Sequence, residues 1–271
     1  MTDFANKNVL ITGAACGIGR LMSLQIAALG GHMILCDINQ QGLEALAAEL
    51  NIQGRKVATY VCNLSDRTAV ATTATRTLAE CGPVDVLINN AGIVSGKPIL
   101  EASEEEIIRT FDVNTLALFW VTRAFMPDMV KRNSGHIVTL ASAGGLVGTG
   151  RLTDYCSSKF AAIGFDDSLR VELKRQGLNI RTTVVCPFYI DTGMFTGVKT
   201  RFAWLLPILK PEYVANKIVN AIQKNHQRLI MPRFVYAVYP SRILPLPIFD
   251  WIMNFLGVSK SMDEFTGRAG H

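Results

Sequence analysis

The stretch "NVLITGAACGIGRLMSLQIAALG", residues 8–30, decides the fold. Its first five residues are β-rich and apolar with no polar alternation, and a helical pattern follows from about residue 17. Between the two stand Gly13, Gly17 and Gly19. A strand-to-helix turn needs glycine at such positions: one permits the tight turn, one lets a phosphate approach the backbone, and one lets helix pack closely on strand. The new helix also offers unpaired N–H groups and the positive end of its dipole to an anion.

Outward from this unit the same rhythm repeats. Short apolar runs, "HMILCD" (32–37), "KVATYVC" (56–62), "VDVLINNAG" (84–92), "GHIVTLAS" (135–142), "IRTTVVCP" (180–187) and "RLIMP" (228–232), alternate with segments of helix length. Strands that are apolar throughout are expected where helices cover both faces of a sheet. The prediction is α/β: a single-domain Rossmann fold over 1–271, doubly wound, with seven parallel strands, right-handed crossovers and helices on both faces. Residues 188–212, rich in Phe, Trp, Leu and Pro without a clear period, are expected to form a substrate-binding lid, and 229–271 an apolar C-terminal extension.

Composition bounds the function. Of 271 residues 49 % are hydrophobic and the net charge is +5, enough for a large core and too mild for a nucleic-acid stripe. The six cysteines stand singly, with no CxxC pair, so neither a zinc site nor a disulfide framework is expected. The N-terminus reaches a strand by Val9 without a signal-like charged and apolar run, so a cytoplasmic protein is expected. Residues 229–258 are apolar and aromatic, but Pro232, Arg233, Pro240, Arg242, Pro245, Pro247 and Asp250 interrupt them, short of the ~20 apolar residues a membrane span needs. Such a segment either packs on protein or lies peripherally on a membrane surface.

Asp37 ends the second apolar run, about twenty residues beyond the glycines, as a dinucleotide fingerprint requires. It can accept hydrogen bonds from ribose hydroxyls, and its charge would repel a 2′-phosphate. Cys16 stands where a basic residue could have met that phosphate, so NAD is expected over NADP. The alternative for Asp37 is a cap on the helix that follows. Further on, "TDYCSSKF" (153–160) sets Lys159 one helical turn after Tyr155, on the same face. A tyrosine with pKa ~10 needs about 4 kcal/mol to act as a base near neutrality. An ammonium ~5 Å away at an effective dielectric of about 20 supplies roughly 3 kcal/mol of it, and a cationic nicotinamide ring could supply the remainder.

Taken together, "TGAACGIG", "NNAG" (89–92), Asn114, Ser142 and "YCSSK" make the chain resemble the short-chain dehydrogenase/reductase (SDR) family, over nearly all of its length to about residue 195. The resemblance implies a catalytic set of Asn114, Ser142, Tyr155 and Lys159. Tyr155 would be the general acid/base, Ser142 would hydrogen-bond the substrate oxygen, Lys159 would also bind the nicotinamide ribose, and Asn114 would link Lys159 to solvent. It implies cofactor contacts from Gly13, Cys16, Gly17, Ile18, Gly19, Asp37, Asn63, Leu64, Asn90, Ala91, Gly92, Tyr155, Lys159, Pro187, Ile190 and Thr192. Two positions depart from the family pattern: Asn63 replaces an aspartate, and Phe188 replaces the glycine of a Pro-Gly pair.

"CPFYIDTGMF", "NNAGIVSGKPIL" and "NTLALFW" look like the branch holding retinol dehydrogenases and lipid-droplet 17-beta-hydroxysteroid dehydrogenases. Members of that branch usually carry an N-terminal hydrophobic anchor that is not seen here, so the likeness implies chemistry more than address. Phe188, Met194 and Phe195, with Phe202, Trp204 and Leu205, would cover the nicotinamide and suit a bulky apolar alcohol such as a steroid, retinoid or long-chain alcohol; otherwise they simply pack the lid. The family interface would lie on helices over 103–132 and 151–176, giving a homodimer or homotetramer. Two other readings stay open: an NADPH-dependent carbonyl reductase, and a non-catalytic nucleotide-binding or lipid-surface protein on the same fold.

Overall fold

Residues 1–267 are described by the structure, a computed structural model. The seven expected runs form β1 (Asn8–Thr12), β2 (His32–Asp37), β3 (Val57–Val61), β4 (Val86–Asn89), β5 (Gly135–Leu140), β6 (Ile180–Pro187) and β7 (Arg228–Met231). They make one parallel sheet in the order β3-β2-β1-β4-β5-β6-β7. The order reverses beside β1, and in an open α/β sheet the crevice beyond the strand ends at that switch is where ligands bind.

Alternation within each strand explains why the runs read as continuously apolar. Val9 and Ile11 face one layer and Leu10 the other, and both layers are buried. The first layer holds α1 (Gly17–Ala28), α2 (Gln40–Ile52) and α7 (Pro211–Gln223), which contribute Met22, Ile26, Leu43, Leu46, Ile218 and Ile222. The second layer holds α3 (Arg67–Cys81), α5 (Ala117–Arg132) and α6 (Thr153–Arg175), through Val70, Val121, Phe125, Leu169 and Leu173.

The helical segment expected over 103–132 is not one regular helix. A reciprocal Ser103/Glu106 capping box starts α4 (Glu104–Phe111). A π-turn over Asp112–Leu116, in which Ala117 N–H donates to Asp112 O, then separates it from α5. Such wide turns concentrate at functional positions, and this one contains Asn114.

Residues 188–212 are built mainly from turns, tied down by a bridge between Ile190 and Leu209. The expected extension begins inside the sheet, since β7 takes its first residues. It continues through a 3-10 turn (Arg233–Ala237), a short α8 (Val238–Ser241) and α9 (Leu246–Phe255), and its tail runs back to the end of the sheet. Met253 and Val258 pack with Leu118, Ala162 and Val184, while Met262 joins Leu152, Tyr155 and Tyr189. Positions 268–271 of that extension lie outside the described residues. Among the described residues no helix is long and apolar enough to cross a membrane.

Two acids of α6, Asp154 and Asp166, are buried. Asp166 on α6 accepts from the Thr182 hydroxyl at 3.4 Å. Burial first and the neighbouring Asp167 second push its carboxyl up to about 7, with the Thr139 and Thr182 hydroxyls pulling it partly back. The folded chain therefore holds a proton that the unfolded chain releases near pH 4, and the site loses stability as pH rises towards 7. Asp166→Asn is expected to raise stability above pH 7 by about 2–4 kcal/mol relative to the parent, with the gain shrinking towards pH 4. Urea midpoints at pH 4.5 and 8.5 check this.

Candidate active site

A single cleft runs along the C-terminal ends of the strands. It is lined by every residue expected at the cofactor, and by Ser142 of the catalytic set; Asn114 of that set is not in its lining. At the turn after β1, Gly13 has φ +64°, and a Cβ there would stand 2.9 Å from Ala91 Cα. A Cβ on Gly19 would fall 2.1 Å from Gly13 O, so α1 can pack on the turn only without a side chain at that position. Gly17 has φ +55° and faces Thr192 across the cleft. The first turn of α1 carries no acidic residue, and its amides point to where an anion would sit.

Asn90 ties this loop to β4. Its amide nitrogen donates to Thr12 O and Gly13 O, each at 2.9 Å, while its buried Oδ1 has no partner within the described chain. Asp37 is held by backbone: Oδ2 accepts from Ala15 N–H and Oδ1 from Asn39 N–H, both at 2.9 Å. A carboxylate has about four acceptor positions, so both oxygens can still receive hydroxyl donors. The cap of α2 is Asn39, accepting from Gly42 N–H, so the alternative role for Asp37 is already filled. Asn63 folds onto Ser65 in a tight local turn, and Leu64 sits beside it in the wall. These features fit a dinucleotide: a side-chain-free cradle, a buried polar atom with spare capacity and an oriented acid at the far end.

At the other end stand Ser142, Tyr155 and Lys159. Ser142 Oγ accepts from Gly144 N–H at 3.0 Å, which holds it after β5. Lys159 Nζ donates to Leu140 O at 2.9 Å and lies 5.7 Å from the centroid of the Tyr155 ring. Asn114 accepts from Ile93 N–H at 2.8 Å and donates to Ile93 O and Ser158 Oγ at 2.9 and 3.0 Å. Gly92 lies between, its Cβ position 3.3 Å from both Asn114 Oδ1 and Lys159 Nζ. Asn114 is therefore a brace, with its Nδ2 donating twice and its Oδ1 accepting one of the two bonds it can take.

The electrostatics correct an expectation. Tyr155 is 6 % exposed and Lys159 4 %. Burial, the largest effect, pushes the Tyr155 hydroxyl above its ordinary value, although a hydrogen bond with Ser142 opposes it; burial also pulls Lys159 down to about 8. The expected lowering of Tyr155 by its lysine does not appear in the chain alone. The ammonium is committed to the Leu140 carbonyl and lies under the ring, where desolvation outweighs its attraction.

The lid is also corrected. Phe188, Met194 and Phe195 line the cleft as expected, together with Tyr189 and Val258, which the sequence did not single out. Phe195 meets Tyr155 edge to face at 5.6 Å and Tyr189 at 5.1 Å; Tyr189 OH pairs with Ser261 Oγ at 2.8 Å. Phe202, Trp204 and Leu205 do not line the cleft. Phe202 instead packs on Phe255, and Trp204 is 81 % exposed, because the chain turns outward after Val198.

With sheet order, glycine loop and the Ser142/Tyr155/Lys159 cluster in place, the class is defined. The short chain dehydrogenase family model matches residues 7–201, and the chain belongs to that family and is an oxidoreductase of it. Mouse (Mus musculus) epidermal retinol dehydrogenase 2 is 43 % identical over 98 % of this chain and 87 % of its own. A Burkholderia phymatum short-chain dehydrogenase/reductase solved with NAD has a TM-score of 0.81 at 25 % identity, over 90 % of this chain and 95 % of its own. A metagenomic short-chain oxidoreductase solved with NADP has a TM-score of 0.73 at 26 % identity, over 85 % and 98 %.

Replacing Asn114 by Ala leaves the half-buried Ile93 amide and carbonyl without their partner and Ser158 Oγ without its donor. A loss of about 2–4 kcal/mol is expected, read as a lowered urea midpoint.

Proposed function

We propose that the chain is an NAD-dependent dehydrogenase that interconverts a bulky apolar alcohol, of the retinoid, steroid or long-chain class, with its carbonyl form. The observation that carries this is one cleft with Ser142, Tyr155 and Lys159 at a dry aromatic end and the glycine cradle with Asp37 at the other. Bound NAD would supply the hydride acceptor.

The residues would then divide the work. The amides of Gly17, Ile18 and Gly19 hold the pyrophosphate, with Gly13 and Cys16 shaping the loop. Asp37 takes the adenosine ribose, while Asn63 and Leu64 flank the adenine. Asn90, Ala91 and Gly92 form the floor, and Pro187, Ile190 and Thr192 hold the nicotinamide side. Ser142 orients the substrate hydroxyl. Tyr155 would take its proton, Lys159 would bind the nicotinamide ribose and hold positive charge beneath the tyrosine, and Asn114 would position Gly92 and Lys159.

The likeness to a retinol dehydrogenase and the wall of Phe188, Tyr189, Met194 and Phe195 support an apolar substrate. The two solved relatives carry NAD in one case and NADP in the other. The choice of NAD therefore rests on Asp37, whose negative charge would repel a 2′-phosphate. Exposed Ile108, Leu116, Phe119 and Val171 on and between α4, α5 and α6 support a subunit contact on that face, as the family resemblance implies.

Calorimetric titration tests the cofactor: NAD should bind at least about tenfold tighter than NADP, and tighter binding of NADP would overturn the reading. Tyr155→Phe should keep NAD affinity and lose about a thousandfold or more in kcat. Turnover of retinol and steroid alcohols, followed by absorbance of the reduced cofactor, supplies that number.

A further inference from the structure

The cysteines stand far apart along the chain, yet the sheet brings two of them together. Cys36 pairs with Tyr60 in the register of β2 on β3, so Cys62, two residues further on, presents its side chain on the same face. Both are free thiols, both are buried, and both pack with Ile34, Val70 and Ala74 in the second layer. They are hydrogen-bonded to each other. That bond, with a second one from Thr73, pulls the Cys62 thiol down against the effect of burial, while the same bond and burial push the Cys36 thiol up. Cys62 is thus the nucleophile of the pair and Cys36 the proton-bearing partner.

The pair adjoins the Asp37 end of the cleft. Cys62 is in the lining and Asn63 and Leu64 follow it there, whereas Cys36 is not in the lining. The Cys62 N–H also donates to the Asp37 backbone carbonyl at 2.9 Å, so a shift of Cys62 reaches both sides of that end. Two thiolates fall short of the four ligands zinc takes, and among the described residues no cluster of three His, Cys, Asp or Glu could hold a metal ion. A thiolate-forming cysteine in contact with a second thiol suits oxidation instead.

We propose that Cys36 and Cys62 form a modification site, which a small peroxide oxidises to a reversible disulfide that weakens NAD binding. The Cys62 thiolate attacks one peroxide oxygen, the O–O bond breaks, and the departing hydroxide takes up a proton as water, leaving a sulfenic acid. The Cys36 sulfur then attacks Cys62 Sγ and gives its proton to the departing oxygen: the S–S bond forms, the S–O bond breaks, and a second water leaves. Two thiols have lost two electrons, and one peroxide has become two waters. Strand spacing and rise put diagonal Cα atoms about 8 Å apart, and a disulfide needs roughly 5.5–6 Å. Closing the bond therefore draws in Cys62, which stands just past the last residue of β3, and displaces Asn63, Leu64 and the Asp37 carbonyl with it. The effect on affinity rests on the NAD reading, and the disulfide itself does not.

The test exposes the full chain to hydrogen peroxide, then maps its tryptic peptides by mass and titrates NAD by calorimetry. Cys36 and Cys62 fall on different peptides, 21–55 and 57–67. Their linked mass should appear on oxidation and vanish with dithiothreitol. NAD affinity should fall by at least about tenfold in the oxidised chain and recover on reduction. Cys36→Ser and Cys62→Ser should each lack the link, and Cys62→Ser should hold its own reduced affinity through the same exposure. A parent without the linked peptide would overturn the site. A link that leaves NAD affinity unchanged, or a loss that persists in Cys62→Ser, would overturn its coupling to the cleft. A reduced parent that does not bind NAD would sink the cofactor reading instead, and the linked peptide would still decide the site.

Discussion

Asn90 donates from one amide nitrogen to two carbonyls of the β1 turn, and that fork fixes how closely the ends of β1 and β4 approach. At this spacing no side chain fits at Gly13 or Gly19. The start of α1 is thereby pressed against the crevice with its amides aimed into it. The same strand end continues into Gly92, where a Cβ would stand 3.3 Å from both Asn114 Oδ1 and Lys159 Nζ. One close approach of two strands thus shapes the glycine turn at one end of the cleft and the wall beside Lys159 at the other.

Burial then dominates the chemistry. In a dry site the neutral forms of both members of the pair are favoured: the phenol is pushed up and the ammonium down. A lysine one helical turn away is too weak, at this geometry, to ionise the tyrosine by itself. The resting hydroxyl keeps its proton in the chain alone; under the proposed function, proton transfer would wait for further positive charge at the nicotinamide side. Under the proposed function, such a site would stay inert until cofactor and substrate are both in place; its aromatic wall is Phe188, Tyr189 and Phe195.

What was legible in the sequence was whatever depends on neighbours close along the chain. The seven strands show as unbroken apolar runs, the cradle as spaced glycines, and the Tyr155/Lys159 pair as a helical spacing. What was hidden depends on distant segments. Nothing near Val258, Ser261 or Met262 signals that the tail folds back to close the cleft, since those contacts span some seventy residues or more. Phe202 and Trp204 share their aromatic character with Phe195, and composition alone does not tell the inner wall from the outer surface. The π-turn at Asp112–Leu116 is likewise invisible, because its residues read as ordinary helix until the Asn114 brace to Ile93 is seen.

Under the proposed function, Tyr155 is a buried phenol that becomes acidic only with cofactor bound. This is tested most directly by tyrosinate difference absorbance across a pH titration, with and without saturating NAD, in the parent and in Tyr155→Phe. The chain has six tyrosines, so the variant supplies the assignment. With NAD, one tyrosine should ionise well below the ordinary value of about 10, and that step should be missing in the variant and in the parent without NAD. A titration unchanged by NAD, or a low-pH step that survives in Tyr155→Phe, would contradict the account.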